Sequence, residues 1–488
     1  MSQQQRWSNC IGNQEVSPFR LLRPTTLAEI VNIVKRAESE NRKVRAVGSG
    51  HSFSDIAITN DYLIDTHGLK KVLTLDAATL KEGAKNLRLV DLECGITIAD
   101  LDAALDGLGL ALINMGAHTA QTVVGALSTS THGSGISLGS VASFVRSMVL
   151  VASGGKIYRI EPANGITDLE RFKSRHPEVE LVQDDDWFNS VVIGLGCMGV
   201  VYSVTMEVRE KYWLKETRIV SNWTRVKAEL TKGDVLRENR HYEVLVNPYA
   251  VNGDHTCLLT IRNEIPEPDD PKPNEKKDRS HLSVGLSFFP PVLIRFTGRV
   301  ISFKNRLLPG SIPRTIEDSL HGLADEEYDA LSYRVLDVGA PNYVAAYSSE
   351  LALPVEGNGY LAAAEKIIEI AERNRITKNR YHTVPFALRF VAKDDLYFSM
   401  MYGRETCMIE VPMLDPTEGG MEILREVEEA LIDLGARPHW GQIHYLAGGN
   451  ALIRKLYAMY DKWIAVRKVL NSSGAFNSRF SERCGFDS

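Results

Sequence analysis

Residues Val44–Asp55, VRAVGSGHSFSD, place a histidine directly after a glycine-serine-glycine turn at the end of an apolar strand. Gly48 and Gly50 let the backbone turn tightly and come close to a ligand, so that successive N–H groups can face a pyrophosphate. Val47, Gly48, Ser49, Gly50, His51 and Ser52 are therefore candidate phosphate-loop residues, with the His51 imidazole on the rim. Two more small-residue clusters follow. Asn114–Leu127 carries Gly116, Ala117, Thr122, Gly125 and Ala126, and it runs into Ser128–Gly135, STSTHGSG, with Thr129, His132 and Gly133. Such density lets backbone pass close to a flat ring or a phosphate; the alternative is a pair of crowded loops. A third cluster, Gly194–Val201 (GLGCMGVV), adds Gly199 and Val200. Its G-x-G-x-x-G precedes a strand instead of opening a helix, which argues against NAD.

Acid–base chemistry has candidates further on. By alternation Phe386, Leu388 and Phe390 share one face of a strand, and Ala387 and Arg389 the other. Arg389 then points either into a site or to solvent. Glu410 lies in the otherwise apolar Met408–Val411, where an unpaired carboxylate is costly. Arg389 is its expected partner, and the pair is either structural or substrate-binding.

The chain's 488 residues exceed one ordinary core and predict two or three domains. A net charge of −6 with scattered basic residues makes no electrostatic case for nucleic acid or an anionic membrane. Six separated cysteines without a C-x-x-C pair predict neither a disulfide framework nor a metal site, and they suit a reducing, cytoplasmic location. The N-terminus lacks a signal-peptide pattern, and no apolar run of about 18 residues predicts a transmembrane helix. The segment His281–Phe303, with Pro290, Pro291, Arg295 and Arg299, reads as a partly buried loop and helix.

The elements alternate in α/β fashion at first. Thr26-x-x-Glu29 is a capping-box signature for a helix through Leu27, Ile30, Val31, Val34 and Ala37. Strands are predicted at Val44–Val47, Asp61–Asp65, Leu87–Cys94 and Val200–Val208, with helices at Ile98–Leu108 and Asp186–Ile193. Gly154-Gly155 marks a hairpin between Val145–Ala152 and Lys156–Ile160. Beyond Tyr212 the pattern predicts strands at His382–Phe390, Leu396–Tyr402 and Thr406–Pro412, and helices at Leu361–Arg373, Gly420–Leu434 and Ala451–Leu470.

Arg23-Pro24-Thr25-Thr26, the His51 loop, Asn114–Gly135, the LGCMGVV turn, Arg437–Gln442 (RPHWGQ) and Ser473–Phe480 (SGAFNSRF) occur in an order that resembles the vanillyl-alcohol-oxidase-type flavoproteins, in their sugar-lactone and alditol oxidase branch. The resemblance implies an α+β fold. It comprises a two-part FAD-binding domain of the PCMH type over 14–212, an α+β substrate cap over 213–430 with a flexible insert at 265–280, and a helical segment, 431–488, that returns to the flavin. It also implies FAD bound covalently through His51, with Asn477 among the cofactor contacts. The place of a second, cysteinyl tether reads Ala120, so one bond is expected.

The implied reaction converts a hydroxyl group of a sugar-like, polyol or lactone substrate to a carbonyl by hydride transfer to flavin N5, with O2 reduced to hydrogen peroxide. A dehydrogenase using a quinone or cytochrome, and a non-catalytic flavoprotein, are the alternatives. Gly116 falls where the family leaves room for oxygen. The substrate side departs from the family. Its Glu-x-Arg reads Ala387-Leu388-Arg389, its His-x-Thr reads Glu410-Val411-Pro412, its His-Trp-Gly-Lys reads His439-Trp440-Gly441-Gln442, and the serine after the oxygen-gating position is Ala117. These changes point away from a linear alditol, and from an aldonolactone as well, and toward a larger alcohol such as a glycoside, nucleoside or secondary metabolite. Arg389, Glu410, Gln442, His439 and Gly116 are the expected catalytic residues. The base is one of His439, His444, His118 and Glu410, while His132 is expected to hold the flavin or the backbone.

Overall fold

The apolar spacing after Thr26 forms the helix Leu27–Ser39, which buries Ile30, Val34 and Ala37. Thr26 caps it by accepting from the Glu29 N–H at 3.2 Å, while the Glu29 carboxylate reaches back to the Thr25 N–H at 2.6 Å. This helix links Arg20–Leu22 to Val44–Val47, and both strands lie parallel to Tyr62–Asp65 between them. A parallel unit of this kind presents ligand-binding loops at the carboxyl ends of its strands. Gly48 begins at such an end.

A second sheet has six strands, in the order Glu180–Gln183, Ile157–Glu161, Val145–Val151, Val200–Glu207, Leu89–Glu93 and Val72–Leu73. The predicted hairpin is present, with Val145–Val151 and Ile157–Glu161 antiparallel. The computed structural model describes residues 5–269, 308–324, 327–338, 346–446 and 450–487. Most of the expected insert at 265–280, and all of His281–Phe303, lie outside the described residues.

The third sheet is antiparallel and eight-stranded, and it positions the polar side chains. Its order is Tyr328–Leu331, Trp213–Asn222, Thr256–Ile265, His241–Val246, Phe386–Val391, Thr406–Leu414, Ala346–Pro354 and Arg437–Pro438. One face is apolar. Phe386, Leu388, Phe390, Ile409 and Leu351 pack there with Ile367 of the helix Gly359–Lys378 and Val427 of the helix Gly420–Asp433. Each fully buried side chain of this size contributes roughly 1.5–3 kcal/mol. The opposite face carries charge, and the register sets its pattern. Glu410 pairs across the sheet with Glu350 on one side and Ala387 on the other, and Arg389 pairs with Glu243.

Two predicted elements differ. Leu396–Tyr402 is a chain of turns, not a strand. Its apolar side chains enter an aromatic core instead of a ladder, with the Phe398 ring 4.3 Å from Trp463 and 5.1 Å from Tyr457. The helix expected over Ala451–Leu470 is two, Asn450–Leu456 and Tyr460–Leu470, interrupted where buried Tyr457 joins the same core. No described helix is long and apolar enough to cross a membrane.

Candidate active site

One cavity joins the glycine loops of the first half of the chain to the charged face of the eight-stranded sheet. It contains about 1360 Å³ of empty space with its open mouth included. The loop 47–52, Gly116 and Ala117, the expected positions between Thr122 and Thr129, His132 and Gly199 all line it. A Cβ on Gly48 would stand 2.0 Å from Thr122 Oγ1, so only glycine lets the two loops meet. Gly50 adopts a φ of +69°, which glycine adopts without strain. The resulting cradle of small residues suits a flat, extended cofactor.

Tertiary contacts hold these loops in place. The Ser54 hydroxyl donates to the Trp440 carbonyl at 2.7 Å, and the Phe53 N–H donates to the Gly441 carbonyl at 2.7 Å. The His439–Gln442 segment is thereby tied to the His51 loop. Beneath the cradle, buried Arg45 donates to the carbonyls of Gly196 at 2.7 Å and Leu195 at 3.1 Å. Sequence reasoning passed over Arg45, although an arginine inside an apolar strand is itself a signal of a buried partner.

Three expected cofactor contacts lie elsewhere. Asn477 accepts from Arg467 at 2.6 Å and Asn471 at 2.8 Å, so it organises the C-terminal turn. Val200 pairs with Val151 inside the six-stranded sheet and belongs to the core. Gly133 is small because a Cβ there would meet the Met115 carbonyl at 2.3 Å.

The polar floor gathers Arg389, Glu410, His439 and Gln442 as expected, and with them Glu350 and His132. Arg389 Nη1 lies 3.0 Å from Glu410 and 3.7 Å from Glu350, and its Nε lies 4.0 Å from Glu243. Glu243 in turn receives Arg262 at 2.6 Å and the Ser134 hydroxyl at 2.8 Å. Ser348 bridges the floor by donating to Gln442 Oε1 at 2.6 Å and lying 3.2 Å from Glu410 Oε1. His132 Nε2 and His439 Nε2 stand 3.2 and 4.0 Å from the Glu350 carboxylate. Glu350 and Glu243 escaped sequence reasoning, although both are carboxylates inside strands.

Residues 18–161 match an FAD-binding domain, and residues 204–484 match the D-arabinono-1,4-lactone oxidase family. The chain belongs to that family. An L-gulono-1,4-lactone dehydrogenase of Mycobacterium tuberculosis is 30% identical over 98% of both chains. An L-gulonolactone oxidase of Scyliorhinus torazame is 26% identical over 99% of this chain and 98% of its own. Among solved structures, cholesterol oxidase from B. sterolicum shares the fold, with a TM-score of 0.75 at 15% identity, covering 99% of this chain and 96% of that one. The protein is thus an FAD-dependent oxidoreductase acting on CH–OH donors, with a PCMH-type FAD-binding fold.

The electrostatics of the floor follow from burial and one guanidinium among three carboxylates. Burial disfavours the ionised Glu350, but His132, His439 and Arg389 outweigh it and hold the carboxyl below its usual range. Burial lifts the Glu410 acid above its usual range; Arg389 opposes the shift and Glu350 adds to it. For His439 burial wins and lowers the imidazole to about 4. Its Nδ1 accepts from the Gly441 N–H at 3.0 Å, so the ring hydrogen sits on Nε2. His439 therefore offers the cavity a donor, not a base. His118 lines the cavity, whereas His444 packs edge-on against Trp440 and Phe480 outside it.

His132, Glu350 and His439 also have the residue types of a metal trio. Their hydrogen bonds do not suit one. His439 could ligate through Nε2 only by giving up the hydrogen that its Gly441 contact places there, and Arg389 adds a positive charge 3.7 Å from the shared carboxylate.

Proposed function

We propose that the chain oxidises a hydroxyl group of a neutral sugar lactone, with FAD tethered through His51 and molecular oxygen as the acceptor. One observation carries this reading: a single cavity unites the His51 loop with the Arg389, Glu410 and Glu350 floor. The full-length likeness to aldonolactone enzymes favours a lactone over the larger alcohols that the altered motifs suggested. The geometry removes much of the force of those alterations. Glu410 faces Ala387 across the strands, so a carboxylate still accompanies Arg389.

Bound FAD supplies the two-electron acceptor for the substrate hydride. The His51 loop and the Thr122–Thr129 segment hold that cofactor, and burial keeps the His51 imidazole in its neutral, nucleophilic form. Arg389 and the His439 Nε2–H donate to substrate oxygens, while Glu410 and Gln442 orient hydroxyl groups. Closure by the sheet excludes water and strengthens each of these contacts. Gly116 lines the same cavity with no side chain to obstruct it, which supports access for oxygen.

The test is an anaerobic screen of flavin absorbance across aldonolactones, alditols, free sugars and nucleosides. Rapid bleaching by an aldonolactone is expected, followed by peroxide on admitting air. Bleaching by none of the panel would reject the reading. The dehydrogenase named above supports a second reading of the acceptor. Under it, the reduced flavin persists in air and is discharged by a quinone or cytochrome c.

A further inference from the structure

We propose that His132 and Glu350 act as one proton-accepting pair, which takes the proton of the substrate hydroxyl on His132 Nε2. The inference rests on the reading of the site as a CH–OH oxidation centre. It starts from where hydrogens can be. His132 Nδ1 lies 2.8 Å from the Gly133 carbonyl, and a carbonyl only accepts, so the ring hydrogen sits on Nδ1. In the neutral ring Nε2 then carries a lone pair. That lone pair is 3.2 Å from Glu350 Oε1, itself an acceptor. Glu350 Oε1 is buried and has no hydrogen-bond donor among the described residues. Two buried acceptors thus face each other at hydrogen-bonding separation with no hydrogen between them. A proton added to Nε2 stands beside the Glu350 carboxylate, whose negative charge stabilises it.

Both groups line the cavity, so the proton can come from a bound hydroxyl. In the step, the substrate O–H bond breaks and its proton passes to Nε2. The C–H electron pair would leave as hydride, which bound FAD would accept, and the carbonyl forms. Glu350 then holds the new imidazolium. The alternative acceptor, Glu410, is already engaged at Oε2 by Arg389 at 3.0 Å. The charged groups around His132 are Glu350 on Ala346–Pro354, Glu410 on the next strand, Arg389 on the strand beyond it, and the His439 ring from the C-terminal segment, 6.1 Å away. Burial opposes charging the ring, but the Glu350 carboxylate outweighs it, so the imidazole is more basic than usual.

The experiment follows the limiting rate of anaerobic flavin reduction against pH in the holoenzyme, beside the titration of His132 by nitrogen-15 histidine NMR. In the wild type the rate should rise with pH through the ionisation seen for His132. In Glu350→Gln both should move to lower pH, with the limiting rate down about 10²-fold and substrate dissociation little changed. Glu350→Asp, which keeps the charge, should recover most of the rate. Glu410→Gln should leave the ionisation in place. The pair is overturned if Glu350→Gln leaves the His132 titration where it was, or if Glu410→Gln abolishes the ionisation in the rate. Should no hydroxyl compound reduce the wild-type flavin, the oxidation reading fails instead, and the NMR titration still decides whether the two residues share a proton.

Discussion

Glu410 and Ala387 face each other on adjacent strands, and the Glu410 carboxylate accepts from Arg389 Nη1 at 3.0 Å. The residue beside Ala387 on the partner strand therefore supplies the charge that Ala387 cannot. Glu410→Ala should lower kcat/KM by about 10²-fold, while Glu350 and Glu243 still face the Arg389 guanidinium, so the fold should lose little stability. Adding Ala387→Glu returns a carboxylate to the same face of the sheet. The double variant should regain at least tenfold of the loss, roughly 1.4 kcal/mol of coupling by a double-mutant cycle. Strict additivity of the two changes would contradict the relation.

His51 lines the cavity on the phosphate loop, with its imidazole kept neutral by burial. Wild-type protein, denatured and run on a gel, should carry flavin fluorescence with the polypeptide. His51→Ala should lose that signal and release its FAD to the supernatant. Free flavin from the wild type would dismiss the tether.

A methyl group on Gly116 would stand 3.3 Å from the Thr131 Cγ2 and 3.4 Å from the His132 carbonyl, a tight fit that small shifts accommodate. Gly116→Ala should therefore fold and bind substrate normally. Its reduced flavin should react with oxygen at least tenfold more slowly, with flavin reduction unchanged, by stopped-flow measurement. Equal oxidation rates would remove Gly116 from the oxygen path.

Glu428, on the helix Gly420–Asp433, is buried and accepts from the Tyr445 N–H at 2.8 and 3.0 Å. Burial lifts its carboxyl from 4.5 to about 7. A carboxyl raised on folding contributes stability that is full below its unfolded value and is lost as pH rises through the folded one. Glu428→Gln should thus be nearly neutral at pH 4 and stabilising at pH 8, by about 3 kcal/mol at most. Thermal melts at the two pH values check this, and a variant that is less stable at pH 8 would refute it.

Much of the site was legible because its signals are local. The glycine clusters declare close backbone approach wherever they occur, and strand alternation put Arg389 on the face opposite Phe386 and Leu388. What escaped was non-local. Glu350 lies in Ala346–Pro354, a strand with no glycine or motif to mark it, and its importance comes from register against Glu410. The Asn477 contacts with Arg467 and Asn471 were hidden for the same reason, since a match along the chain carries no information about which way an amide points.

Patterns of residue type along the chain determined the cofactor loops, the FAD family and an α+β class, since turns, alternation and helical spacing are properties of neighbouring residues. Tertiary structure alone decided the chemistry of the floor. Strand register brought Glu243, Glu350 and Glu410 around one guanidinium, and the folded loop set the hydrogen on His132 Nδ1 by offering it the Gly133 carbonyl. Proton positions depend on distances of a few ångströms between residues far apart in the chain, and only the packed sheet fixes those distances.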